Sequence, residues 1–389
     1  MIFSQNKEKY AFILGQVPSL SKVEIEHILN HQKIEFKELF CNDKVFVIES
    51  KKLMVDELQA RLGGTIKISH IVNRISSIEK EVIEKLIHQR LQSKKKKFQF
   101  GFSLYGEVDL KEMQRIGIAV KRELKVKNVN SRFVVSKESA LSSVIVQKEK
   151  LIDQGVDIVI IQSDKEYFIG YTVSVQNFQE YSDRDYGRPQ RDDKSGMLPP
   201  KLAKMMLNLS QSNLDQTILD PFCGSGTVIQ EALLMGYRNI IGLDISAKAV
   251  LDTKNNIEWL KTKFKQDISG VKIFEVDVKK LSEKIQPQTI NCIVTEPYLG
   301  PINSNTLYNI QELENLYLKA FEQFHIVLKK EGRVVIIFPI TDGQTVDILN
   351  DVKRLGFITE PLGPEPRKSV IYSRVGQRVK REIFVFKKI

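Results

Sequence analysis

Cysteine is scarce: Cys41, Cys223 and Cys292 are the only three in 389 residues. They lie too far apart for metal-ligand spacing or a disulfide framework, so a reducing, cytoplasmic setting is expected. Five scattered histidines suggest no metal site either. No apolar run approaches the ~20 residues that a membrane-spanning helix needs. Charges interrupt the opening MIFSQNKEKYAF at once, so no secretory signal is expected. Gly-Lys-Ser/Thr is absent, which excludes a P-loop, and there are no internal repeats or low-complexity segments.

What is present is ordinary in bulk. With 42% apolar and 28% charged residues, the chain has the composition of a soluble globular protein. A length of 389 predicts two or three domains, each able to bury a core. Net charge is +11, and residues 1–178 carry +7 of it. A polyanionic partner for the N-terminal part is expected, although a basic surface with no nucleic-acid role is the plainer reading of charge alone.

Residues 217–246, TILDPFCGSGTVIQEALLMGYRNIIGLDIS, organise the rest. They read as strand, glycine turn, helix and strand. Asp220-Pro221 ends the first strand, because proline lacks the donor that a central strand needs. Gly224 and Gly226 let the backbone turn and approach a ligand. The helix carries Val228, Ile229, Ala232 and Leu233 at helical spacing and stops at Gly236. The next strand ends in Asp244, where a carboxylate can accept from two ribose hydroxyls. A dinucleotide site would need a third glycine where Ile229 stands. Asp220 is a poor neighbour for a pyrophosphate and a good one for an ammonium. S-adenosylmethionine, with an ammonium, a sulfonium, a ribose and an adenine but no phosphate, is the expected cofactor. A turn that binds nothing is the plainer alternative.

A third strand, 271–277, delivers Asp277 and Val278 to the same end, where Asp277 is either an adenine partner or a helix cap. The fourth strand, 290–295, leads into Thr295, Glu296, Pro297 and Tyr298. The amine of guanine or adenine is a poor nucleophile because its lone pair is delocalised into the ring. A carboxylate and a backbone carbonyl that accept its protons would localise that pair, and an aromatic ring would stack on an extruded base.

These stretches resemble class I S-adenosylmethionine-dependent methyltransferases. The resemblance implies a Rossmann-like seven-stranded sheet over residues 201–389, closed by a C-terminal hairpin at 369–374 and 380–386. It also implies cofactor contacts from Pro200, Asp220, Phe222, Gly224, Gly226, Thr227, Asp244, Ile245, Asp277 and Val278. The usual Asp/Asn-Pro-Pro-Tyr loop is altered, with Thr295 at the acidic position and Glu296 at the first proline: either Glu296 supplies the carboxylate from a shifted loop, or Thr295 is a weaker acceptor, or the amine chemistry is lost.

Upstream, alternating strands and helices over 1–75 suggest a small α+β, ferredoxin-like domain. Ser21 and Glu24 have the spacing of a capping box. Residues 76–176 contain Ser103-Leu-Tyr-Gly, Leu141-Ser-Ser-Val, Gly155-Val-Asp-Ile-Val-Ile and Phe168-Ile-Gly-Tyr-Thr-Val, which together resemble a THUMP RNA-binding domain. The run Lys94, Lys95, Lys96 and Lys97, with Lys111, Arg115, Lys121 and Arg122 on a basic helix, is the physical counterpart of RNA binding. Such contacts position RNA rather than read its sequence. Residues 177–200 change composition and read as the interdomain connection. Arg184-Asp185, Arg188-Pro189, Arg191-Asp192 and Arg374-Val-Gly-Gln-Arg378 resemble the THUMP-containing tRNA guanosine-10 N2-methyltransferases. That resemblance implies tRNA as partner, a monomer, and in some relatives a small activating subunit. An amino-methyltransferase for ribosomal RNA or DNA, and a non-catalytic RNA-binding protein with a vestigial fold, are the alternatives.

Overall fold

The computed structural model describes residues 7–91, 98–164, 166–191, 197–301, 309–364, 366–374 and 376–389. The chain forms two units. Among the described residues no helix is long and apolar enough to cross a membrane.

The first unit comprises Met1–Pro18, Gln32–Ala60 and Thr65–Gln179. Its strands are β1 (Glu8–Leu14), β2 (Phe36–Cys41), β3 (Val45–Ser50), β4 (Thr65–Ile75), β5 (Phe98–Tyr105), β6 (Ser131–Val134), β7 (Gly155–Gln162) and β8 (Tyr167–Val175). They form one sheet in the order β2-β3-β1-β4-β8-β7-β5-β6. The stretches read as two separate modules thus share a continuous sheet. The join is β4, which continues past Ile71 to Ile75 and pairs antiparallel with β1 on one edge and β8 on the other. Inside the sheet, Lys67 and Asp157 form a buried ion pair at 3.1 Å. Lys67 Nζ also donates to Ser103 Oγ and the Leu141 carbonyl, and Asp157 accepts from Ser103 and Thr172. Every strong donor and acceptor is engaged, which is what makes such burial tolerable.

The second unit comprises Ser19–His31, Arg61–Gly64 and Glu180–Ile389. The helix Pro18–His31 starts three residues before Ser21, so the expected capping box does not form. Glu24 instead lies inside the helix, fully buried, and accepts from the Gly63 and Gly64 amides at 2.8 Å each and from the Asn208 side chain at 2.6 Å. A Cβ at Gly63 would lie 2.4 Å from the Lys201 carbonyl, so only glycine allows this approach to the helix Pro200–Leu209. Burial pushes the Glu24 carboxyl up to about 7 against those hydrogen bonds.

The strands of this unit are β9 (Thr217–Asp220), β10 (Asn239–Asp244), β11 (Val271–Glu275), β12 (Ile290–Thr295), β13 (Leu328–Thr341), β14 (Gln344–Thr345), β15 (Phe357–Glu360), β16 (Val370–Tyr372) and β17 (Val379–Lys388). Seven lie on one path, β11-β10-β9-β12-β13-β17-β15, and β14 and β16 pair off it, so the sheet has nine strands rather than seven. The expected C-terminal hairpin forms, with β16 antiparallel to β17, and the short strand β15 pairs with the far end of β17, so the two share this edge of the sheet. β9 to β13 run parallel, and β17 is antiparallel to β13. Tyr317, Phe321 and Phe324 of the helix Ile310–Val327 pack this face against Phe338, Phe384 and Phe386. The chain leaves β9 for β10 on one side and returns to β12 on the other, which opens a crevice at the carboxyl ends of these strands.

Candidate active site

At β9's end Asp220 is 2% exposed, and its Oδ1 accepts from the Phe222 amide at 3.2 Å and the Thr295 hydroxyl at 2.7 Å. Burial pushes its carboxyl up to about 7, and the nearby Asp244 and Glu296 carboxylates add to the rise while the two hydrogen bonds oppose it. The chain then turns at Gly224, with φ +52°, whose amide donates to Asp244 Oδ2 at 2.9 Å. The Ser246 amide donates to Asp244 Oδ1 at 2.9 Å. Gly226, at φ +84°, precedes the helix Thr227–Leu234, and a Cβ there would meet Thr253 Cγ2 at 2.9 Å. Thr253 in turn donates to the Gly224 carbonyl at 2.7 Å. The turn is therefore fixed from beneath, while the space beside Gly224 is open. At β11's end, Asp277 Oδ1 accepts from the Lys279 amide at 3.0 Å.

These ends surround a cavity of about 1020 Å³. Among the sequence-derived candidates, Asp220, Phe222, Gly224, Thr227, Asp244, Ile245, Asp277, Val278, Glu296, Pro297 and Tyr298 line it. Three do not. Pro200 is buried in the first turn of its helix, and its neighbours Met197, Leu198 and Pro199 line the cavity instead. Gly226 is packed on Thr253. Thr295 is the last residue of β12, fully buried, with its hydroxyl given to Asp220. The strand ends before Glu296, so Glu296, not Thr295, is the acidic group presented at the strand end.

Glu296 is paired with Arg381 of β17, Oε1 to Nε at 2.6 Å, and their side chains are only 12% and 9% exposed. Burial raises the Glu296 carboxyl, and the Arg381 guanidinium pulls it back down. Tyr298 is 58% exposed, and its carbonyl accepts from Tyr317 at 2.6 Å, which anchors the loop while the ring stays open. Arg381 was not foreseen. Its one signal was a cation at an alternating position of the last strand, and alternation does not say what an arginine reaches.

Of the segment 177–200, the described part from Glu180 onward belongs to the second unit. The segment forms the helix Phe178–Tyr186, and Arg184, buried, pairs with the equally buried Glu231 at 2.6 Å. Arg188, 3% exposed, donates to the Thr227 hydroxyl at 2.7 Å, so this segment fastens the start of the helix behind the glycine turn. In the first unit, Lys111, Arg115, Lys121 and Arg122 are all exposed along the helix Leu110–Val126, whose start is capped by Asp109. Lys94, Lys95, Lys96 and Lys97 lie outside the described residues.

Comparisons with known proteins find methyltransferases. A family model for an RMKL-like methyltransferase domain matches residues 188–345, and a DNA methylase model matches residues 78–255. The tRNA (guanine(10)-N2)-dimethyltransferase of Pyrococcus abyssi is 31% identical over 51% of this chain and 55% of its own length. The enzyme of the same name from Methanothermobacter thermautotrophicus is 25% identical over 85% of this chain and 89% of its own. A relative from Methanothermococcus thermolithotrophicus, given that name prefixed "probable", is 32% identical over 35% of this chain and 77% of its own. In fold, the chain is similar to TrmN from Thermus thermophilus, with a TM-score of 0.57 and 17% identity over 99% of this chain and 100% of that one. The chain belongs to the tRNA (guanine(10)-N2)-dimethyltransferase family.

Proposed function

We propose that the protein is an S-adenosylmethionine-dependent methyltransferase acting on the exocyclic N2 amine of guanosine 10 in tRNA. The observation that carries this reading is the meeting of the Gly224 turn with Glu296, Pro297 and Tyr298 in one cavity. The residues present fit the cofactor. Asp220 provides a buried carboxyl for a cationic group, and each Asp244 oxygen accepts one amide and keeps lone-pair capacity for a ribose hydroxyl. Asp277 and Val278 border the region suited to adenine. When bound, S-adenosylmethionine supplies an electrophilic methyl group.

The chain's residues prepare the nucleophile. Tyr298 stacks on the guanine once it leaves its helix. The Pro297 carbonyl accepts one amine hydrogen, and the Glu296 carboxylate takes the proton released as the nitrogen gains its methyl. Two hydrogens on N2 allow two successive transfers, in keeping with the dimethyltransferase name of the relatives. The exposed basic helix Leu110–Val126, in the part read as a THUMP domain, supplies phosphate contacts that hold the tRNA. A DNA amine is the second reading, favoured by the DNA methylase match. That match ends at residue 255, before the loop that would hold the base.

The test is transfer of labelled methyl from S-adenosylmethionine to unmodified tRNA, followed by nucleoside analysis. N2-methylated guanosine is expected, with the rate lowered ~10²- to 10⁴-fold in Glu296→Ala. Absence of transfer while tRNA still binds would replace the enzyme reading with a purely RNA-binding one.

A further inference from the structure

The Glu296–Arg381 pair has a consequence for the reaction proposed above, on which the following rests. Glu296 follows β12 and Arg381 lies on β17, with β13 between them. Arg381 stands opposite Pro339 near the end of β13. Only a long side chain bridges two strand spacings, ~10 Å, from there to the β12 loop. The next residue, Glu382, is taken by Arg367 at 2.7 Å, so strand alternation commits Arg381 alone to this face.

The other cations at the cavity are engaged elsewhere. Arg378 is paired with Asp342 at 2.8 Å, and the Arg374 guanidinium donates to the Tyr372 hydroxyl at 3.2 Å. Among the described residues, the acidic groups sharing the cavity with Glu296 are Asp220 on β9, Asp244 on β10 and Asp277 after β11, and Lys279 is the remaining cation. Burial favours the neutral form of Glu296, and the Arg381 guanidinium is what favours its charged form. A buried ion pair adds little net stability over apolar packing, so stability alone gives no reason for this one.

We propose that Arg381 is a positioning residue that fixes the orientation and the negative charge of Glu296, so that this carboxylate can receive the amine proton. The contact engages Oε1 alone, which leaves Oε2 for the amine. Arg381 acts through Glu296.

Two readouts test this with full-length protein. The first is single-turnover methyl transfer to a tRNA transcript between pH 6 and 9.5. Wild type is expected to lose rate on the acid side as Glu296 takes up a proton. In Arg381→Gln that acid limb moves to higher pH, so the loss exceeds 30-fold at pH 6 and shrinks towards pH 9.5. Arg381→Lys falls between the two. S-adenosylhomocysteine affinity stays within threefold of wild type, which reports an intact fold. A uniform loss at every pH, or no change, overturns the proposal. The second readout needs no activity: a ¹³C-carboxyl NMR titration of Glu296, assigned with Glu296→Gln. Its midpoint is expected to rise in Arg381→Gln, and an unchanged midpoint overturns the proposal. If wild type transfers no methyl yet the midpoint moves, the electrostatic role stands and the methyl-transfer reading falls.

Discussion

At Asp220 a buried carboxyl with a value raised from 3.8 to about 7 faces the proposed cationic end of the cofactor. The folded protein holds a proton there that the unfolded chain has already released. Asp220 therefore subtracts stability progressively as pH rises from about 4 to 7, and Asp220→Asn should flatten that part of the stability profile. A cation bound beside it favours the charged form, so binding expels the proton. Calorimetry of S-adenosylmethionine binding should show affinity rising between pH 6 and 8 with proton release, and neither effect in Asp220→Asn. Gly224 makes a simpler case. A Cβ there meets nothing within 4 Å, but φ is +52°, so Gly224→Leu should fill the cofactor space at a cost of about 1–2 kcal/mol in backbone strain. Binding of S-adenosylhomocysteine should be lost, with a modest fall in melting temperature. Asp220, Gly224 and Asp244 were legible in the sequence because one local turn brings them together. Arg381 was not, being 85 positions from its partner. The strand 290–295 has the bounds read from the sequence, but which of Thr295 and Glu296 is free to act was not legible, because the Thr295 hydroxyl is taken by Asp220, 75 positions away.

Two buried carboxylates tie elements together in opposite electrostatic styles. Glu24 holds the amides of Gly63 and Gly64, and burial raises its value from 4.5 to about 7 although those hydrogen bonds and the nearby Lys204 ammonium pull it down. A raised carboxyl costs stability across that window, about 3 kcal/mol by the upper end. Thermal unfolding of wild type should weaken from pH 5 to 8, and Glu24→Gln should reduce the slope. The first unit's Asp157 is instead matched by Lys67 and two hydroxyls. Lys67→Met would strand the carboxylate in the sheet, with an expected loss of about 3–5 kcal/mol in denaturant unfolding, whereas replacing both partners by apolar residues should cost much less. Neither arrangement could be read from the chain. Ser21 and Glu24 had the spacing of a cap, and only the approach of Gly63 and Gly64 turns Glu24 inward. Nothing local to Lys67 marks it for burial; β4, β5, β7 and β8 together enclose it.

Across the whole molecule, the order of strands and helices in the second unit was readable from periodicity and from the breaks at Asp220-Pro221 and Gly236. What periodicity could not supply was pairing between distant strands. The β4–β8 ladder, which makes one sheet of two sequence modules, and the edge position of β15 depend on such partners. The proposed RNA surface also belongs to this scale. Replacing Lys111, Arg115, Lys121 and Arg122 together by alanine should weaken tRNA binding and lower its salt dependence, by up to ~3 in the slope of log K against log salt, with cofactor affinity unchanged. The most direct test of the whole reading uses a tRNA transcript carrying inosine in place of guanosine 10, which deletes the N2 amine and little else. The account predicts full methyl transfer to the guanosine transcript and none to the inosine transcript, with both bound equally. Equal labelling of the two would contradict it.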